Sequence, residues 1–344
     1  MNRLRGAECL VLLAGLAAIP LSSRVTAGID EQLLLKQFGF SAQDLQKINR
    51  GEIVGRTTQA DASAVALVVA GAIAVPPSYY LERFRAIESF KKSPEILQLG
   101  RFGPAPSVAD LAALTLDSSD VADLKDCRIN DCGVKLDSPG ITALARKDAG
   151  SAASSADMRQ YLSAYVQQYI RNGHASLIEY RDDSPPKKLA DELRAILSQS
   201  AYLRQGWPAL YGAVADFSGA LPEGLEHFIY WSKEKIGPRA VISVTHAIIS
   251  PPANGTAAVA TKQLYASHYS HASLGVTMLL DKGTPEAPRT LLVYVNRSRL
   301  DIFGGLLGSI KRPLVRSRAR DGAERTMRLL RDRLEREYRA GAGL

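Results

Sequence analysis

The chain is short of the residues that build metal and thiol chemistry. Its 344 residues hold three cysteines, five histidines, four methionines and two tryptophans. No CxxC pair is present, which excludes a thioredoxin-like redox motif and leaves zinc ribbons without ligands. No HExxH, Walker A, GxGxxG or GxSxG pattern occurs, so zincin, P-loop, dinucleotide-binding and α/β-hydrolase chemistry lack their signatures. Nothing in the sequence calls for a cofactor. Apolar runs are also short, none reaching the roughly 20 residues that a membrane-spanning helix needs.

Two shorter apolar runs are present. Arg3 and Arg5 precede Cys9–Leu21, and "SSRVTA" follows with Val25 and Ala27 at small-residue positions. That order reads as a signal peptide over 1–27, cleaved near Ala27. Cys9, with Glu8 before it, is not placed for lipid modification. The second run, Ala64–Val75, ends at Pro76-Pro77 and reads as a buried strand. The mature protein is expected to be periplasmic or secreted. In that oxidising setting Cys127 and Cys132 pair as a disulfide, a local clip worth about 2 kcal/mol for so small a ring.

Net charge is +8. Eleven basic and five acidic residues lie between Lys311 and Arg339, so one C-terminal element carries the excess. Asp321–Arg325, Glu324–Arg328 and Asp332–Arg336 stand four apart in the favourable acid-before-base order, which accounts for much of that charge. An anionic membrane surface is the partner such an element could meet, and an exported chain meets no nucleic acid.

Organisation falls into three parts. Residues 28–103 open with a helix capped by Ser41, then extended sequence, then a proline-started helix whose Tyr80, Phe84 and Ile87 share a face. Residues 104–223 read as mainly helical. Helices are expected in "SVADLAAL", "SDVADLKDC" and "SPGITALARK" (capped by Ser138), with "DAGSAASSA" as a linker. Two longer amphipathic helices follow, the first carrying Tyr161, Tyr165 and Tyr169 along one stripe. Residues 224–339 return to strands, with a hairpin at Gly237-Pro238, and close on a helix from about Gly305 to Tyr338.

"VALVVAGAIAVPPSYYLERFRAIESF" at the front and "LLVYVNRSRLDIFGGLLGSIKRPLVRSRARDGAERTMRLLRDRLE" at the back resemble, in layout, the START-like (helix-grip) superfamily of lipid-binding and polyketide-cyclase-like domains. The resemblance implies an α+β fold: a curved antiparallel sheet gripping the long C-terminal helix around an apolar cavity. The large helical insertion is a departure from that pattern. Carried onto this chain, the cavity would be lined by Val244, His246, Tyr265, His268, Met278, Val293, Ala323 and Met327.

His246 earns its place by strand alternation, which sets it with Ile242, Val244 and Ile248 on the apolar face. His268 and His271 are three apart, so a straight strand points them to opposite faces and they cannot share an ion. A turn near Ser270 would put them at a rim. The function expected is non-enzymatic binding of an apolar or amphipathic, lipid-like molecule. The alternatives are a cyclase- or hydrolase-like enzyme using His246 or His268 with a tyrosine, and an envelope protein docking through its basic last helix.

Overall fold

The computed structural model describes residues 30–58, 64–146, 150–301 and 308–341. Residues 1–27, expected to be a signal peptide, lie outside them. Among the described residues no helix is long and apolar enough to cross a membrane.

Asp30 caps α1 (Glu31–Gln37), and Ser41 caps α2 (Ala42–Asn49) in a reciprocal box with Asp44. Strands β1 (Val54–Thr57) and β2 (Ala64–Ile73) pair antiparallel. The single helix expected after Pro76-Pro77 is two, α3 (Pro77–Arg85) and α4 (Ile87–Phe90), broken at Ala86, whose ψ of 62° is not helical. β3 (Ile96–Arg101) follows, an edge strand whose irregular burial gives it no sequence periodicity.

The middle of the chain is helical, with α5 (Ser118–Lys125), α6 (Ser138–Leu144) and α7 (Ser151–Asn172). "SVADLAAL" supplies only a 3-10 turn, Val108–Leu111. The cap of α6 is Asp137, whose carboxylate accepts from the Gly140 amide, so Ser138 is already inside the helix. The expected linker belongs largely to α7: "SAASSA" is helical, and buried Ser155 accepts a hydrogen bond from the Leu116 amide. Alanine is the best helix former, and small side chains let the 112–117 loop approach closely. A two-stranded ribbon, β4 (Glu179–Tyr180) with β5 (Lys187–Lys188), leads to α8 (Leu189–Ser198), α9 (Ala201–Gly206) and α10 (Pro208–Ala215).

Five long strands complete the sheet: β6 (Glu226–Ile236), β7 (Arg239–Ala253), β8 (Thr256–Ala266), β9 (Ser270–Asp281) and β10 (Thr290–Leu300). The sheet has eight antiparallel strands in the order β1-β2-β10-β9-β8-β7-β6-β3. The β8–β9 turn carries a left-handed Tyr269 at φ 63°, so the reversal falls just before Ser270. Helix α11 (Gly308–Gly341) closes the chain.

Alternation along the strands divides the apolar residues between two layers. On one face Val244, Ile248, Ala260, Leu274, Val276, Met278 and Val293 pack against the helices of the middle segment. On the other, Leu67, Val69, Val259, Leu279 and Leu292 pack against Tyr80, Leu81 and Phe84 of α3 and Met327 and Leu334 of α11. The fold is therefore α+β, an antiparallel sheet with helices on both faces, and the long C-terminal helix lies along β1 and β2. Glu324 of α11 accepts from the Gly55 amide and Glu335 from the Ala74 amide, fixing the helix along that edge.

The charge pairing on α11 differs from the four-residue reading. Glu324 pairs with Arg328, but Asp321 pairs with neighbouring Arg320 and Asp332 with Arg331. Arg325 and Arg336 stand exposed on the outer surface.

Candidate functional site at the helix–sheet interface

The eight residues expected to line one cavity do not converge. Val244, His246, Tyr265, Met278 and Val293 are fully buried and belong to the layer facing the middle helices. Ala323 and Met327 belong to the layer on the opposite face of the sheet. His268 sits in the β8–β9 turn, 3.1 Å from Asp120 of α5. Side-chain alternation is what separates them: α11 packs over the odd-numbered residues of β2, whereas the chosen β10 residue, Val293, lies on the other pleat. Two surface hollows among the described residues, one beside Ala64 and Ile196 and one beside Phe90 and Leu334, hold only about 10 and 30 Å³ and are lined by none of these eight, room for a water or two.

His246 does reach a polar constellation, on the side away from α11. Its Nδ1 lies 2.9 Å from the Tyr169 hydroxyl, and its Nε2 lies 2.8 Å from Nδ1 of His227. With the Tyr169 hydroxyl donating, His246 carries its proton on Nε2 and donates it to His227. Burial holds the His246 imidazole neutral, its pKa well below the ordinary range, with Lys262 and His227 adding to the effect. Burial likewise raises the Tyr169 hydroxyl far above its usual range. His227 is exposed, so the chain of bonds runs from solvent into the core.

Lys262 pairs in register with His246 across β7 and β8 and is 0 % exposed. Its amine donates to the Val214 carbonyl at 3.2 Å and lies 5.3 Å from the centre of the Tyr169 ring. Burial lowers its pKa to about 7, only partly opposed by the Asp216 carboxylate. The amine therefore gives up its proton far more readily than an ordinary lysine, which is charged at physiological pH.

Phe217 closes the cluster. Its ring stacks on Tyr169 with centroids 5.1 Å apart and meets His246 edge-on at 4.8 Å. The backbone holds it there, because the His174 amide donates to the Phe217 carbonyl at 2.8 Å. Gly173 permits that approach: its φ is +58°, and a Cβ would fall 1.8 Å from the same carbonyl oxygen. Next to it, His174 has a buried Nδ1 with no hydrogen-bond partner. Burial, reinforced by Lys262, lowers the pKa of this imidazole to about 4.

Three of the five histidines and one lysine therefore meet where α7, α10 and the 216–219 turn dock on β6, β7 and β8. The sequence pointed to His246 but not to its partners. Lys262 had a signal: with Ala258, Ala260 and Leu264 it shares an alternating apolar stripe on which it is the lone charge. Tyr169 was legible as one of a tyrosine stripe. His227 and His174 carried no such mark, because what brings them in is the turn at Gly173 and the β6–β7 register.

His268 and His271 have separate environments. His268 bonds Asp120, whose second oxygen is buried without a partner. The pKa of His271 is pushed down to about 3 by burial and by Lys135. Among the described residues no three His, Cys, Asp or Glu side chains stand close enough to hold a metal ion. Cys127 and Cys132 are joined as a disulfide, Cα atoms 4.4 Å apart, beside α5. No protein-family model and no curated protein matches the chain.

Proposed function

We propose that the protein is an exported, non-enzymatic binding protein of START-like layout, taking an apolar or amphipathic small molecule between its sheet and its helical layer. The observation that supports this most is the set Tyr169, His246 and Lys262 within an otherwise apolar wall. A few convergent polar groups in such a wall orient a mostly apolar guest. A lysine held near neutrality is expensive to keep in a core that has only structural duties. The site is placed on the face away from α11 because His246 lies there.

Since the interface is closed, entry requires the helical layer to open, so the bound form is a minor state made dominant by the guest. The lever is α10, eight residues between a bend at Trp207 and the Phe217 turn. Denaturing extraction and mass spectrometry of protein purified from its native host should release a stoichiometric apolar molecule. A reproducibly empty protein that also fails to quench a fluorescent lipid probe refutes the reading. Export is supported by the disulfide, and intact mass should show the chain beginning just after Ala27.

A second reading rests on the Tyr169–His246 hydrogen bond, since such a pair can pass a proton near neutral pH. It requires a hydrolase- or cyclase-like activity whose pH profile His246→Gln removes and whose rate Tyr169→Phe also lowers.

A further inference from the structure

We propose that the guest carries a carboxylate head, taken by Lys262 in exchange for the Val214 carbonyl, with its tail lying between α8, α10 and the β8–β9 floor. This rests on the binding reading above and names its ligand class. The groups facing the Lys262 amine come from every element around it. They are Tyr169 on α7, His174 after it, the Val214 carbonyl and exposed Asp216 at the end of α10, His246 on β7 and, one bond further, His227 on β6. Arg194 on α8 and Arg101 on β3 lie further out and act on His174 and His227. Burial keeps the His246 and His174 imidazoles neutral, so Lys262 is the group of this cluster that can take up charge, and the one nearby carboxylate, Asp216, is exposed. An incoming anion gives the amine a buried partner, whereas an incoming cation gives it none.

The acceptor that Lys262 now uses belongs to the segment that must move. When α10 lifts, the Val214 carbonyl leaves with it, and the amine is left buried with its hydrogen-bonding need unmet. A carboxylate oxygen entering there restores the bond in charge-assisted form. Lys262 pairs in register with buried Leu274 on β9, and the apolar layer on this face of the sheet also holds Val276 on β9, Leu193 and Ile196 on α8 and Leu210 on α10, all buried. An unbranched chain can lie along them. Because burial favours the neutral amine and a bound carboxylate favours the charged one, capture of the anion draws a proton from solution near neutral pH.

The test uses the full mature chain and three probes below their micellar concentrations: dodecanoate, 1-dodecanol and dodecylammonium. Binding is followed by titration calorimetry and by Trp207 fluorescence, that residue being buried at the bend before α10. The expected order is dodecanoate over dodecanol by about tenfold or more at pH 7, with dodecylammonium weakest. Lys262→Met should erase the preference, bringing the ratio of dodecanoate to dodecanol affinity to about one whatever happens to the absolute affinities. In the wild-type protein, titrations in phosphate and in Tris should differ by the heat of a partial proton uptake, which needs no variant. Equal affinity for acid and alcohol, a preference that survives Lys262→Met, or absence of proton uptake overturns the carboxylate assignment while leaving the binding reading standing. Failure of all three probes to bind overturns the binding reading itself.

Discussion

Replacing Lys262 with methionine should make the protein more stable, not less, and by an amount that depends on pH. The buried amine titrates at about 7, against 10.5 for an ordinary lysine. A tenfold loss of proton affinity on folding is worth about 1.4 kcal/mol, so at pH 7 the burial of this lysine works against folding by about 4 kcal/mol. The sign follows from proton counting. Between 7 and 10.5 the unfolded chain holds the proton and the folded chain does not, so stability rises with pH through that window. Below 7 both states are protonated and the penalty is full; above 10.5 both are neutral and it is gone.

Methionine fills a similar volume without the charge, but it strands the Val214 carbonyl, which costs about 1–3 kcal/mol. The net gain expected at pH 7 is about 1–3 kcal/mol, and at pH 10 the advantage should have shrunk by about 3 kcal/mol, reversing the order of the two proteins. Urea unfolding of both at the two pH values, read by tryptophan fluorescence, measures the difference. A variant destabilised by the same amount at both pH values would refute the reasoning, because the lysine would then be charged and satisfied in the fold.

On the acid side, His246 and His174 are held neutral, so protons bind the unfolded chain first and stability should fall as pH drops from 6.5 toward 4. His246→Gln should flatten part of that slope, and an unchanged slope in urea titrations would count against the buried neutral imidazole. Gly173→Ala must both adopt a left-handed backbone and drive a methyl into the Phe217 carbonyl; a loss of at least about 2 kcal/mol is expected, with Trp207 fluorescence shifting before Trp231 changes. Cys127→Ser with Cys132→Ser should lower stability by about 2 kcal/mol without displacing the sheet, measurable as a drop in Tm insensitive to added reductant.

Much of this architecture was legible in local patterns. The Ser41 cap, the proline start of α3 and the Gly237 turn sit where turn and cap chemistry demand them, and each is read from a few adjacent residues. β2, with its run of small and β-branched residues closed by two prolines, is equally local. What resisted was the assignment of faces. The alternation of β10 says which residues share a side, but not which side receives α11, and a choice of Val293 alongside Met327 took one residue from each layer. β3 was hidden because an edge strand half in solvent keeps no strict period. The polar cluster was half visible: His246 and Lys262 break apolar stripes, while His227 and His174 arrive through the chain's reversal at Gly173 and through strand register, both long-range facts.

The pairing of β2 with β10 joins residues 64–73 to residues 290–299. During synthesis β2 must therefore wait for more than two hundred further residues before its second neighbour exists. In that interval it has only β1, four residues long, along one side. Its ten residues include no charge, and in the finished protein nearly all are buried. A strand of that kind with an open edge is a template for wrong partners. The meander from β6 to β10 can assemble from neighbouring hairpins, so the late, entropically costly step is the closure that brings the first strands to the last. A holding factor, or passage across a membrane before folding, would serve the nascent chain best in that interval. Any truncation ending before Thr290 should leave β2 without β10 and turn a folding chain into an aggregating one.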